Sequence, residues 1–468
     1  MTVGPHGLRR TLGFRDLLLF YLATTFSLRW MATAAAAGPG ALVVWIAGAA
    51  GLFVPLLFAT LELSSRFPEE GGLYVWAREA FGPFSGFMAG WLYWCSNLPY
   101  FPSLLYFAAG NLLYVGGDSW QALSTSSGYF IAVSLGGLLL TLALNIRGLE
   151  VGKWLANAGG IASWVVAGVL IVLGGIAWVR FGPAQSFSLA AMTPRVGVQE
   201  AIFWSTIAFA FAGVESASTM AEEIRDARRT LPRAVLAAAA VIALLYLAGT
   251  WAVLVAVPRE QLSGLQGIMQ AVDGVTARVG AGWLGPPLAA LVVLAALGGV
   301  FAWFAAVARL PLVAGFDRFL PSAFGRVHAT WGTPHVALVT QGIVAGVFVI
   351  LGQAGTSVRG AYEVLLSLSI ITTFVPFLFI FAALVRVQTL PAAAGVMRVP
   401  GGPVAARALG ILGFLTTSAS IVLACIPSAD EPNPALAVAK IVGLSAAIAA
   451  VGAIVYATGR TRAAAAAV

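Results

Sequence analysis

The chain has 468 residues, of which 60% are apolar and only 9% charged, and its mean hydropathy is +0.92. A soluble domain is typically about 45–50% apolar and about 25% charged, so these values exclude an ordinary soluble protein and leave a polytopic membrane protein. With 3 His and 2 Cys, the latter inside apolar runs at Cys95 and Cys425, a disulfide framework, a Cys/His zinc site and a haem protein are all disfavoured. No cofactor and no metal are expected.

Charge-free stretches delimit the spans, because a lipid-facing charge at mid-bilayer is costly. With three further spans that carry a charge inside or at one end, they predict in chain order an all-α protein of twelve transmembrane helices, at residues 14–37, 40–64, 84–114, 128–146, 152–178, 198–220, 233–257, 282–307, 335–352, 361–385, 406–427 and 435–458. The Gly38-Pro39-Gly40 turn divides the first two, since proline lacks an N–H and glycine tolerates the turn. The first apolar run has no small-residue cleavage site after it and is read as a helix, not a removable signal.

With the N-terminus inside, only Arg180, Arg195, Arg259, Arg278 and Arg359 fall outside, and Arg29 and Lys440 fall within spans. The others of the 26 basic residues lie inside, as the positive-inside rule requires. Both termini are therefore expected in the cytoplasm, with the chain in the cell's inner (plasma) membrane. The net charge of +8 is then a matter of topology, spread over short loops, and no nucleic-acid partner is expected.

The first and sixth spans are interrupted. "FRDLLLFYLATTFSLRWMATAAAAGPG" gathers Thr24, Thr25, Ser27 and Arg29 near its middle, and "QEAIFWSTIAFAFAGVESASTM" carries Gly213 and Glu215 mid-run, then Ser216, Ser218 and Thr219. Glycine weakens a helix, and a charged group in hydrocarbon must face a cavity or a partner. Broken helices at corresponding positions of two halves point to a transporter's binding site, where freed N–H and carbonyl groups hold a substrate carboxylate and amine. The interruptions lie about 185 residues, or five spans, apart. That offset suits two inverted five-helix repeats, 14–180 and 198–385, preceded by a segment 1–13 and followed by two appended helices over 406–458 and a tail 459–468.

Arg29 and Glu215 are the charges left at depth. They are read as lying opposite each other at the two interruptions, a pair that either binds substrate or fixes the first span against the sixth structurally. An Arg in the site favours substrates with an extra carboxylate, unless Glu215 neutralises it. Elsewhere, Glu62 is expected at the cytoplasmic face, His328 and His335 in a loop, and "EEIRDARR" (222–229) in a solvated loop, while Lys440 has no assigned role. "SRFPEEGGLYVWAREAFGP" pairs a turn with an apolar-basic segment, as a short helix at the inner interface would.

Three ordered segments then carry a resemblance: "ELSSRFPEEGGLYVWAREAFGPFSGFMAGW", "FAFAGVESASTMAEEIRDARRTLPRAV" and "ARLPLVAGFDRFLPSAFGRVHATWGTPHVAL". Over essentially its whole length the chain resembles the amino acid-polyamine-organocation superfamily of permeases. The resemblance implies a leucine-transporter fold in which spans 1, 3, 6, 8 and 10 surround an amino acid. It implies that Phe209 is the aromatic that closes over substrate, that Glu215 is the acidic residue of the sixth-span break, and that Tyr93 lines the site. It also makes Phe301 or Trp303 the aromatic of the eighth span; packing alone is the alternative for each ring. Ser27, Arg29 and Gly213 join them from the interruptions.

The departures bear on coupling. The first span has "FSLRW" in place of a Gly-Ser-Gly break, Ser163 stands where some relatives have a lysine, and residues 282–308 hold no Ser or Thr to ligate sodium. The expectation is a secondary transporter of amino acids or related amines, proton-linked or exchanging and not sodium-coupled. Its partners are a small-molecule substrate and the bilayer, with the oligomeric state left open. A facilitative pore and a polyamine transporter are the alternatives. A membrane enzyme is disfavoured because Glu215 is the only deep acid, and no GxxxxGK[ST] motif marks a nucleotide-driven pump.

Overall fold

The computed structural model describes residues 13–465 apart from 70, 195–196, 217, 219–223, 312–318, 392–394 and 428–430. Most of the 1–13 segment, Thr219, Glu222 and Glu223 of the charged loop, and the end of the tail thus lie outside the described residues.

The first span is two helices, α1 (Phe14–Thr25) and α2 (Leu28–Ala35), joined by extended backbone at Phe26 and Ser27. α3 (Ala41–Arg66) follows, with a π-helical turn at Ala49–Phe53. Then come α4 (Leu73–Phe81), α5 (Pro83–Leu112), α6 (Ser127–Arg147) and α7 (Leu149–Phe181). In the sixth span, α8 (Val198–Phe209) ends just ahead of the interruption expected at Gly213 and Glu215, and turns carry the chain through both. The second half continues with α9 (Ala227–Ala256), α10 (Gly267–Arg278), α11 (Gly285–Val307), α12 (His335–Gln353) and α13 (Val358–Val387). α14 (Gly402–Ala424) and α15 (Pro434–Ala465) close the chain.

Among the described residues, nine helices are long and apolar enough to cross a membrane. The α1–α2 pair, α5 and α8 with its unwound continuation provide the other crossings. α5 is 30 residues long but is diluted by Ser96, Asn97, Ser103 and two internal prolines, Pro99 and Pro102. Each proline removes a ladder hydrogen bond and leaves a carbonyl one turn earlier free for other partners. α10 is an element the span pattern leaves as loop. Ile268, Met269, Ala271, Val272 and Val275 bury one face of it while Asp273 faces out, so it packs on the bundle without being long enough to cross.

α5, α11 and α13 form the middle of the bundle with α1, α2 and α8; α7 packs along α11, and α14 along α13. On the face where α1 begins, α4 buries Leu73, Tyr74, Val75 and Trp76 against α5 and α13. The short helix expected at the interface is therefore covered by protein on its apolar side. Glu62, expected at the cytoplasmic end of its helix, is buried. It takes Arg66 as an ion pair at 2.9 Å and accepts from Gln388 Nε2 (2.8 Å) and the Val399 N–H (3.0 Å), joining α3 to the end of α13 and the segment beyond it. On the opposite face, Lys440 donates to the carbonyls of Gly352 and Ala354, the orphan acceptors at the end of α12. His328 stacks on Trp331 and accepts the backbone N–H groups of Thr330 and Trp331, a loop role as expected.

Candidate binding site at the two helix breaks

The two interruptions meet in the middle of the bundle, and one side chain from α9 touches both. Tyr246 donates its hydroxyl to the Thr25 carbonyl (2.6 Å), accepts the Ser27 N–H (3.2 Å), and lies 3.3 Å from the Ala210 carbonyl. Its ring is fixed by stacking on Trp45 at 4.5 Å between centroids. From α11, the Trp303 indole N–H donates to the Thr24 carbonyl at 2.9 Å. Orphan carbonyls of the first break thus find side-chain donors, which is what lets an extended step persist inside a low-dielectric bundle. At the second break Gly213 has φ +120°, and a Cβ there would stand 2.8 Å from Thr25 Oγ1. Only a residue without a side chain allows this backbone and this approach together.

A cavity of about 40 Å³ lies against both breaks. Thr24, Thr25 and Gly213 line it from the two breaks, Ser96 and Asn97 from α5, and Thr373 from α13. The aromatic wall is continuous: Phe209 meets Trp30 edge-on at 5.7 Å, Tyr100 at 6.4 Å and Phe374 at 5.8 Å, and Tyr100 meets Trp303 at 6.3 Å. Glu215 is 1% exposed; it accepts the Tyr93 hydroxyl at 2.7 Å and the Gly213 N–H at 2.9 Å, one bond to each oxygen. A second cavity of about 30 Å³, lined by Ser27, Ser163 and Trp303, separates the first break from α7 and α11. A third, of about 460 Å³, opens on the face opposite the start of α1 and is lined by Thr33, Thr206, Tyr362 and Glu363 among others. The central cavity has room for only a few waters, whereas the third is the size of a small-molecule pocket.

Of the predicted site residues, Tyr93, Phe209, Gly213, Glu215 and Trp303 line the central cavity, and Ser27 lines the adjoining one. Phe301 does not reach either: its ring covers Gly152 on α7, two residues along α11 placing it on another side of the helix from Trp303. Arg29 is fully buried, but it does not face Glu215. Its Nη1 donates to Ser103 Oγ (3.1 Å), and its guanidinium lies on the rings of Trp30 (4.1 Å) and Tyr100 (4.7 Å). The expected charge pair is therefore absent, because Tyr93 and the Gly213 amide claim the carboxylate and two rings claim the cation. Sequence reasoning missed Tyr246, Tyr100, Trp30 and Asn97. Tyr100, between Pro99 and Pro102, and Asn97, two residues before Pro99, carried a usable signal as polar groups beside prolines in an apolar run; Tyr246 carried none beyond being a hydroxyl in one.

A sequence profile of amino acid permeases matches residues 12–455. The chain is 26% identical to an uncharacterized transporter of Legionella pneumophila over 431 residues, 91% of each chain. It is 25% identical to a probable agmatine/putrescine antiporter of Lactococcus lactis, over 71% of this chain and 70% of that one. It is also 25% identical to a glutamate/serine transporter of Bacillus subtilis, over 74% and 66%. In fold it is similar to the crystal structure of MhsT in complex with L-phenylalanine, with TM-score 0.58, 16% identity, and coverage of 89% of this chain and 99% of that one. The architecture is the leucine-transporter fold.

Proposed function

The chain belongs to the amino acid permease family, within the amino acid-polyamine-organocation superfamily, and on that premise we propose that it moves amino acids or related amines across the cell membrane as a secondary transporter. It is a multi-pass membrane transporter and not an enzyme. The observation that carries the proposal is the meeting of two helix breaks beside an aromatic-walled cavity that holds one buried carboxylate. The start of α2 offers amide N–H groups and a positive dipole end to the substrate carboxylate, while the carbonyls around Thr24, Thr25 and Ala210 suit an ammonium group. Phe209 and Trp303 close the cavity around the apolar part.

The repeats that move against each other are 14–180 and 198–385, with 406–458 appended. The distribution of basic residues supports a cytoplasmic location for both termini, so the 460 Å³ cavity faces outside and the face bearing α4 faces in. Absence of hydroxyl ligands on α11 favours proton linkage or exchange over sodium coupling. Glu215 is then the group that carries the proton, with Tyr93 as its hydrogen-bond partner. The names of the relatives, one for agmatine and putrescine and one for glutamate and serine, support a substrate class of amino acids and amines.

Purified protein in liposomes, screened against labelled amino acids and amines, tests this. Uptake stimulated by internal unlabelled substrate is expected; uptake without such stimulation would favour a pore, and no uptake of any member by correctly inserted protein would overturn the reading. Glu215→Gln is expected to make uptake insensitive to an imposed pH gradient. A variant with unchanged rate and unchanged pH response removes Glu215 from the coupling.

A further inference from the structure

Arg29 is 0% exposed and, among the described residues, has no carboxylate partner. Ser103 takes Nη1, and the rings of Trp30 and Tyr100 lie within cation–π distance of the guanidinium. Nε and Nη2 make no well-formed hydrogen bond, and neither does the buried Tyr362 hydroxyl, which lies close enough to Arg29 to interact with its guanidinium. Those two nitrogens share one edge of the planar group, the edge that grips a carboxylate with two parallel N–H···O bonds. Aromatic rings attract the cation, but they supply no hydrogen-bond acceptor in its plane.

A buried charge with an open edge is expensive unless something occupies that edge. The deep acid that was the obvious candidate, Glu215, has both oxygens engaged elsewhere. The acids around the 460 Å³ cavity also have other partners: Glu363 bonds Arg359 at 2.8 Å, Glu260 bonds Arg259 at 3.1 Å, and Glu431 accepts the Asn433 N–H. Arg29 stands between the two cavities, since Trp30 and Tyr100 line the central one and Tyr362 lines the larger one.

We propose that the Nε–Nη2 edge of Arg29 is a carboxylate site, and that the substrate is an amino acid with an acidic side chain. Its second carboxylate lies on this edge and accepts from the Tyr362 hydroxyl, while its ammonium and first carboxylate lie at the two breaks. The methylene groups between them pass along the Trp30 and Tyr100 rings. This rests on the transporter reading above. An uncharged side chain leaves the edge unfilled, and a cationic one meets a buried like charge.

Wild type, Arg29→Gln and Arg29→Lys in liposomes test this through displacement of a labelled substrate by glutamate against glutamine and by aspartate against asparagine. Each pair differs by carboxylate against carboxamide. In wild type the acid is expected to displace at least about tenfold better than its amide. In Arg29→Gln the ratio falls to near one through loss of affinity for the acid alone, and Arg29→Lys lies between. Equal displacement by acid and amide in wild type overturns the proposal, as does an unchanged ratio in Arg29→Gln. Exchange of chloride for gluconate separates the sources of the anion: loss of amide affinity in wild type but not in Arg29→Gln would assign the edge to an inorganic ion and overturn the substrate assignment. Should Arg29→Gln fail to fold, the wild-type ratios and Arg29→Lys decide. Transport of amides with no preference for acids sinks this proposal alone, whereas no transport of any amino acid or amine sinks the transporter reading with it.

Discussion

Phe301 and Trp303 differ by two positions on one helix, and that spacing sends their rings to different sides. Both read identically as aromatics in "GGVFAW"; what separates them is that an indole N–H at 303 meets a carbonyl freed by a break in another helix. Trp303→Phe keeps the ring but removes that donor, so half-saturation of transport is expected to rise about three- to tenfold, the worth of one buried neutral hydrogen bond. Phe301→Leu is expected to leave half-saturation unchanged, because its ring packs on Gly152 and lines neither inner cavity. Equal effects in the two uptake curves would contradict this division. The charged residues at depth were legible as exceptions in an apolar chain, and both are buried at the breaks. Their pairing was not legible, because a carboxylate chooses among donors that only the folded bundle brings near, here the Tyr93 hydroxyl and the Gly213 amide.

Helix interruptions are partly a local property. Gly213 and the hydroxyl-rich runs marked both interruptions inside the spans 14–37 and 198–220, but not the residues at which each helix stops, Thr25 and Phe209. An isolated sequence does not contain the partners that make an extended step at Phe26 and Ser27 affordable: the Tyr246 hydroxyl on α9 and the Trp303 indole on α11. The glycine is the part that no partner can replace. Gly213→Ala puts a methyl group 2.8 Å from Thr25 Oγ1 on a backbone at φ +120°. Its expected outcome is a loss of initial transport rate of about tenfold or more with expression retained, strain of roughly 1–3 kcal/mol being localised at the site. Wild-type rates in a matched liposome assay would refute it.

At the scale of the molecule, composition and the distribution of charge were enough to give the class and the number of crossings, because hydrocarbon penalises charge whatever the fold. They did not show that Glu62 is buried, since its partners lie far along the chain, at Gln388 and Val399. Glu62 ties α3 to the end of α13, and Arg66 beside it has a side chain only 8% exposed. Glu62→Ala leaves that guanidinium without its anion, and a loss of roughly 3 kcal/mol is expected, read as a lowered Tm in detergent. An unshifted Tm would show the tie to be dispensable. By contrast, α10 escaped the span pattern because that pattern counts only segments long enough to cross.

The Tyr246 hydroxyl has a single hydrogen and two carbonyls within reach, Thr25 at 2.6 Å and Ala210 at 3.3 Å. Whichever it serves, the other carbonyl goes without that hydrogen, at the point where the two breaks meet. Two breaks that lie in different halves of the chain therefore share one donor, so a shift of either half changes the hydrogen bonding of the other through this one phenol.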